Sequence, residues 1–125
     1  MKKVKSLLFV DDEKEILDIL VDLFKDEEYE LYTATKAEEA RNIMKKHKVD
    51  FILTDLKLPD DSGSDLLTDI RNKNPETIRV LTSGYLDLKF GNISENKEDG
   101  TLYLSKPWDL FTLKQLVEER LEKRV

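Results

Sequence analysis

Cysteine is absent from the 125 residues, so neither a disulfide framework nor a thiolate metal site is open to this chain, and a reducing compartment is the expected setting. Long apolar runs are missing as well. The N-terminal one, Leu7, Leu8, Phe9 and Val10, is far too brief for a signal segment or a membrane span, so a cytoplasmic protein with no membrane partner is expected. There is a single histidine, His47, at the polar end of an expected helix, where it should be solvent-exposed; it is assigned no role. No internal repeat, low-complexity tract or linker interrupts the chain. Positive charge does not predominate either. A net charge of -6 disfavours nonspecific nucleic-acid binding and points to protein partners.

What is present is 39% hydrophobic and 38% charged residues, with the apolar ones in regular blocks, as in a globular protein with a real core and a charged surface. The length fits one domain, residues 1–125. Short β-rich runs alternate with segments of helical period, the pattern of a parallel sheet with crossover helices. The uninterrupted run at 7–10 suits a central strand covered on both faces. It stops at Asp11, Asp12 and Glu13. Ile16, Leu20 and Phe24, widened by Leu17, Val21 and Leu23, predict a first helix. Residues 30–34 predict a second strand, followed by a capping box from Thr35 to Glu38 and a second helix carrying Ala40, Ile43 and Met44 and ending near His47.

Phe51, Ile52, Leu53 and Thr54 predict the third strand, with Asp55 at its carboxyl end. The stretch Leu58-Pro59-Asp60-Asp61-Ser62-Gly63 is turn chemistry, after which Leu66, Leu67 and Ile70 mark a third helix closed by Pro75. Residues 79–82 and 102–104 predict the fourth and fifth strands. The helix expected between them is weakly written, with Gly91, Asn92 and Asn96 and a polar run over 94–100, and should be short or mobile. Pro107 precedes a last helix with Leu113, Leu116, Val117 and Leu121. The expected fold is therefore α/β: a doubly wound parallel sheet of five strands with five helices.

In such sheets ligands bind beyond the carboxyl ends of the strands, so the informative residues are those just after strands. These are Asp11 and Asp12, Asp55, Ser83 and Lys106. Crowded carboxylates stay ionised only if a cation compensates them, and oxygen-only ligation suits Mg²⁺. Lys106 adds a second positive charge. Cation and ammonium together make a place for a dianionic phosphoryl group, with one carboxylate as the nucleophile that becomes an aspartyl phosphate and the Ser83 hydroxyl as a donor. Each residue also has an ordinary reading. An Asp-Asp pair can simply cap a helix, a lysine before proline can sit on the surface, and Tyr103 can be strand packing.

Four motifs occur in fixed order at strand ends: Val10-Asp11-Asp12-Glu13; Thr54-Asp55 followed by Leu58-Pro59 and Gly63; Thr82-Ser83-Gly84-Tyr85; and Tyr103-Leu104-Ser105-Lys106-Pro107-Trp108. On these the chain resembles the response-regulator receiver domains of two-component signalling, over essentially its whole length. The resemblance implies a flavodoxin-like sheet of order 2-1-3-4-5. It implies that Asp55 takes a phosphoryl group from a phosphohistidine, and that Asp12, Asp55 and the backbone carbonyl of Lys57 bind Mg²⁺ with Asp11 assisting mainly through water. Ser83 and Lys106 would contact the phosphoryl group, Tyr103 would move inward on activation, and Lys106-Pro107 would be cis. Lys57 and Tyr85 would tune the lifetime of the acyl phosphate.

The partners so implied are a sensor histidine kinase or phosphotransfer protein on one side. On the other is a downstream protein or output domain, bound through the face of the fourth helix, fifth strand and fifth helix. The chain would be no enzyme beyond its own phosphorylation and slow autodephosphorylation. A haloacid-dehalogenase-type phosphatase also uses an aspartate nucleophile, but spaces its two aspartates two residues apart after the first strand and carries a cap domain; here Asp11 and Asp12 are adjacent. The last expected helix ends the chain, which suits either a stand-alone shuttle or a receiver cut from a longer protein.

Overall fold

The structure, a computed structural model, describes residues 4–84 and 93–122. Strand β1 (Lys5–Val10) is followed by helix α1 (Lys14–Phe24), β2 (Tyr29–Ala34), α2 (Ala37–Lys46), β3 (Phe51–Asp55), α3 (Gly63–Lys73), β4 (Ile78–Ser83), β5 (Ile93–Glu95), β6 (Leu102–Ser105) and α4 (Leu110–Glu122). The strands form one sheet in the order β2-β1-β3-β4-β6-β5. All neighbours are parallel except β5, which runs antiparallel to β6.

The pleat sorts the apolar runs into two cores. Leu7, Phe9, Phe51, Leu53, Val80, Leu102 and Leu104 point to one face, where α1 and α4 cover them with Leu17, Leu20, Phe24, Leu113, Leu116 and Val117. Leu8, Val10, Ile52 and Leu81 point to the other, where Ala37, Ala40 and Met44 of α2 and Leu66, Leu67 and Ile70 of α3 close over them. A strand buried on both faces needs apolar residues at every position, hence the unbroken runs in β1 and β3. Each fully buried Phe or Leu contributes about 1.5–3 kcal/mol relative to exposure. The sheet is thereby a rigid platform whose strand order reverses between β1 and β3, and Asp11 and Asp55 stand at that point.

The doubly wound fold is as expected, but two features of its second half are not. The sheet has a sixth strand, and the described residues contain four helices, not five. The first part of the weak helix, with Gly91 and Asn92, lies outside the described residues; over 93–100, where its second part was expected, the chain forms β5 and a tight turn. The reason is local chemistry. The Asn96 carboxamide accepts from the Glu98 amide at 2.9 Å, the Asp99 carboxylate accepts from the Thr101 amide at 2.9 Å, and Gly100 takes φ +79° to let its amide reach the Asn96 carbonyl at 2.7 Å. Side chains that satisfy the backbone in this way compete with helix.

The start of α2 also differs from expectation by one residue. Its N-cap is Lys36, with no side-chain cap of its own, so Glu39, not Glu38, reaches back to the Thr35 amide at 2.8 Å. His47, exposed as expected, stacks on Tyr32 with ring centroids 4.6 Å apart.

Candidate functional site

The chain leaves β1 at Asp11, whose amide donates to the Ala34 carbonyl at 3.1 Å and whose side chain is only 2% exposed. One carboxylate oxygen accepts from the Glu13 amide at 2.9 Å and the other from Lys106 Nζ at 3.0 Å. Asp12, next in sequence, is exposed. Asp55 ends β3 half-buried, with Oδ1 3.5 Å from the same ammonium. Asp11, Asp12 and Asp55 each offer a carboxylate oxygen, and these lie within 4.8 Å of one another.

Lys106 follows β6. Its amide donates to the Ser83 carbonyl at 3.1 Å, and its peptide bond to Pro107 is cis. Its ammonium lies 5.6 Å from the centre of the Trp108 ring, and Trp108 Nε1 donates to Thr82 Oγ1 at 2.7 Å. Trp108 thus backs the lysine and is itself fixed to β4, a role that its place in the motif did not disclose. Its signal was only that the single tryptophan stands two residues after a strand-end lysine.

Ser83, buried at the end of β4, is one residue beyond Thr82, which pairs in register with Asp55. Tyr103 is half-buried in β6, opposite Leu81 on one side and Ser94 on the other. It lines a cavity of about 90 Å³ with Leu67, Thr68, Leu81 and Thr101. Lys57 is exposed in the loop between β3 and α3, bridged to Ser62. Tyr85 lies outside the described residues.

Gly63 at the start of α3 was noted as part of a motif, and the structure gives it a physical reason. A Cβ there would stand 2.1 Å from the Asp55 carbonyl oxygen and 3.0 Å from Leu81 Cδ1. Only glycine lets α3 approach the end of β3 this closely, and its amide closes the loop on the Leu56 carbonyl at 2.6 Å.

Electrostatically the site is short of positive charge. Burial, the main cause, pushes the Asp55 carboxyl above the usual carboxylate range, and Asp11 adds to this while Lys106 opposes it. Burial acts to lower the Lys106 ammonium, yet Asp11 and Asp55 together outweigh it and hold its pKa above the ordinary lysine value. Three carboxylates against one ammonium leave two negative charges, the complement of a divalent cation. The donors are hard oxygens without nitrogen or sulfur, which fits Mg²⁺. Asp11 already accepts bonds on both oxygens, so Asp12 and Asp55 are the freer ligands.

Comparison with known proteins agrees with this arrangement. The family described as "Response regulator receiver domain" matches residues 7–118. The hydrogenase transcriptional regulatory protein HoxA of Cupriavidus necator is 33% identical over 93% of this chain, which spans 25% of that protein. The sporulation initiation phosphotransferase F of Bacillus subtilis is 30% identical, with 94% of each chain covered. Among solved structures, the CheY-like response regulator receiver domain protein of Methanospirillum hungatei superposes with a TM-score of 0.82 at 28% identity, covering 97% of this chain and 96% of that one. The chain spans about a quarter of the length of some curated relatives and nearly all of others. With the family matched over most of its length and the acidic cluster and lysine gathered at the strand ends, this chain belongs to the response regulator receiver domain family.

Proposed function

We propose that the chain is a Mg²⁺-dependent phosphoacceptor switch in which Asp55 takes the phosphoryl group. The observation that carries this reading is the convergence of Asp11, Asp12, Asp55 and Lys106, with Lys106 Nζ 3.0 Å from Asp11 and 3.5 Å from Asp55. An Asp55 oxygen attacks phosphorus, a new O–P bond forms as the P–N bond of the donor phosphohistidine breaks, and the leaving imidazole takes up a proton. Asp12, Asp55 and the Lys57 carbonyl would hold Mg²⁺, which would offset the charge of both reactants. Lys106, which now serves two carboxylates, turns part of its hydrogen bonding to a phosphoryl oxygen, and Ser83 donates from the end of β4.

The output follows from what Ser83 and Tyr103 adjoin. Ser83 ends β4, and Tyr103 sits in β6 beside the cavity next to Leu81. Helix α4, which shares a core with β6, carries on its outer face the exposed Phe111, 69%, and Leu110, 40%. This face binds a downstream protein or output domain, and the phosphoryl group biases it between two arrangements. The donor is a sensor histidine kinase or a phosphotransfer protein, met by this chain in the cytoplasm. The net charge of -6 favours such protein partners over direct contact with nucleic acid. No helix among the described residues is long and apolar enough to cross a membrane.

Turnover is limited to the protein's own phosphorylation and slow autodephosphorylation. The Lys57 side chain has no carboxylate or amide with which to orient a water, and Tyr85, two positions beyond Ser83, is the second residue expected to tune the lifetime. The test is intact-mass spectrometry after incubation with acetyl phosphate and Mg²⁺. One phosphoryl mass should appear on the parent, persist for minutes after the donor is removed, and be absent from Asp55→Asn and from samples with excess EDTA. Labelling of Asp55→Asn equal to the parent would refute the assignment. Decay within seconds would refute the account of lifetime.

A further inference from the structure

The loop between β3 and α3, residues 56–62, carries Lys57, and three sets of bonds fix it. The first set is internal. Leu58 donates to the Asp61 carbonyl at 3.1 Å, the Ser62 amide to Asp61 Oδ1 at 2.8 Å, and Lys57 and Ser62 form a bridge. The second comes from Asp60, whose two oxygens accept from the Ala37 and Glu38 amides at 2.8 and 2.9 Å. These are amides of the first turn of α2, which need partners from outside the helix. Those two amides are the main reason the Asp60 carboxyl lies below its ordinary range. The third set comes from Arg41, one turn further along α2. Its guanidinium bridges Asp61 Oδ2 at 2.8 Å and Asp69 Oδ2 of α3, the latter through Nη2 at 2.8 Å and Nε at 3.1 Å.

We propose that Asp60 and Arg41 are positioning residues that clamp this loop onto α2 and thereby hold the Lys57 carbonyl where it ligates the cation. The proposal rests on the cation site described under the proposed function. A loop joining a strand to a helix can cap its own helix, and this one does so: Ser62 Oγ accepts from the Asp65 amide at 3.0 Å. Asp60 is not needed there. It reaches instead to a helix 23 residues away in sequence, and Arg41 secures the next residue, Asp61, from the same helix. Two adjacent loop residues are thus fixed to α2 by charge-assisted bonds, within the turn that Leu58 and Asp61 close around Pro59. A backbone carbonyl cannot choose its position by rotamer as a carboxylate can. Its contribution to an octahedral site depends on how the loop is held.

If the clamp served only the stability of α2, any cap of α2 would be equivalent to it. Glu39 supplies the control: it accepts from the Thr35 amide and hydroxyl at the same helix start, and it meets the loop only through charge repulsion from Asp60. Mg²⁺ alone is titrated into the parent, Asp60→Ala, Asp60→Asn, Arg41→Lys, Glu39→Gln and Asp12→Ala, followed by Trp108 fluorescence and by calorimetry. Hydrogen exchange of amides 56–63 is measured on the Mg²⁺-free proteins. Asp60→Ala should weaken Mg²⁺ about 3- to 10-fold, less than loss of a direct partner of a ligand, and should speed exchange in the loop. Asp60→Asn and Arg41→Lys should fall between it and the parent. Glu39→Gln should keep the parent affinity whatever it does to the melting temperature. An Asp60→Ala affinity equal to that of the parent, or an equal loss in Glu39→Gln, overturns the clamp while Asp12→Ala still loses Mg²⁺. Retention of Mg²⁺ by Asp12→Ala instead overturns the cation site, and the clamp with it.

Discussion

Two polar connections flank the second half of the sheet, and they are built by opposite means. The loop after β3 is held from outside, by Asp60 on the α2 amides and by Arg41 on Asp61 and Asp69, and Gly63 presses it against Asp55. The turn after β5 is held mostly from within, by Asn96, Asp99 and Gly100. Its long-range tie is Arg79 of β4, which donates to the Asp99 carbonyl and, at 3.3 Å, to the Thr77 carbonyl, while its buried Nε has no hydrogen-bond partner among the described residues. Arg71 approaches Asp99 only to 3.9 Å. Burial, the main cause, lowers the Arg79 pKa from its ordinary value, with Asp99 opposing and Arg71 reinforcing the shift. The first connection is over-determined and keeps the chemistry in place. The second satisfies itself and leans lightly on the sheet, which makes it the easier of the two to open locally.

The sharpest way to break this contrast is Gly63→Ala. Added methyls in open loops cost little, but this one meets backbone at 2.1 Å, and the Asp55 carbonyl cannot give way without disturbing β3. We expect a loss of about 2–4 kcal/mol in urea unfolding, with the Mg²⁺ site lost before the fold. A stability within error of the parent would mean that the loop is not rigid at all. The opposite region should absorb its own defect. Arg79→Met exchanges a buried, incompletely bonded guanidinium for an apolar chain, so global stability should stay within about 1 kcal/mol of the parent. Amide exchange should rise over 96–101 and nowhere else. Faster exchange spread through β1 and β3 would show that the two regions are one cooperative unit.

How much of this could be read in the sequence follows the same division. β1 and β3 were legible because burial on both faces demands unbroken apolar runs, and Asp11, Asp12, Asp55 and Lys106 because strand ends in this architecture converge. The weak propensity over 93–100 was visible too, but propensity says only that a helix is disfavoured. That residues 93–95 instead add to the edge of β6 is a pairing between segments, with no local signature in three residues. The cap of α2 was misplaced for a related reason: its donor amides find Asp60 from a loop distant in sequence, and the local Thr35-to-Glu38 pattern is one residue out of register with the helix that forms. The bond from Trp108 to Thr82 likewise joins residues that only the folded sheet brings together.

The smallest effect tests whether the rigid region is strained by its own charge. The Asp55 carboxyl is raised above the ordinary value of 3.8, first by burial, so the folded protein binds this proton more tightly than the unfolded chain does. Between the ordinary and the raised value the native state carries more protons. Stability therefore falls as pH rises through that window, and the loss persists above it. At neutral pH without Mg²⁺, ionised Asp55 destabilises the fold, and Asp55→Asn, which keeps the shape and removes the charge, should melt a few degrees higher than the parent. On acidification below about pH 4 both forms are neutral, so the gap should close. Saturating Mg²⁺ should reverse the order at pH 7, because only the parent retains the full ligand set; at 100 times its Kd, a ligand of the native state adds about 2.7 kcal/mol. Melting curves with EDTA and with Mg²⁺, at pH 7 and at the acid end, read all three terms. A parent that melts above Asp55→Asn at pH 7 in EDTA would show that Lys106 alone neutralises the cluster, and that the site holds no unmet demand for a cation.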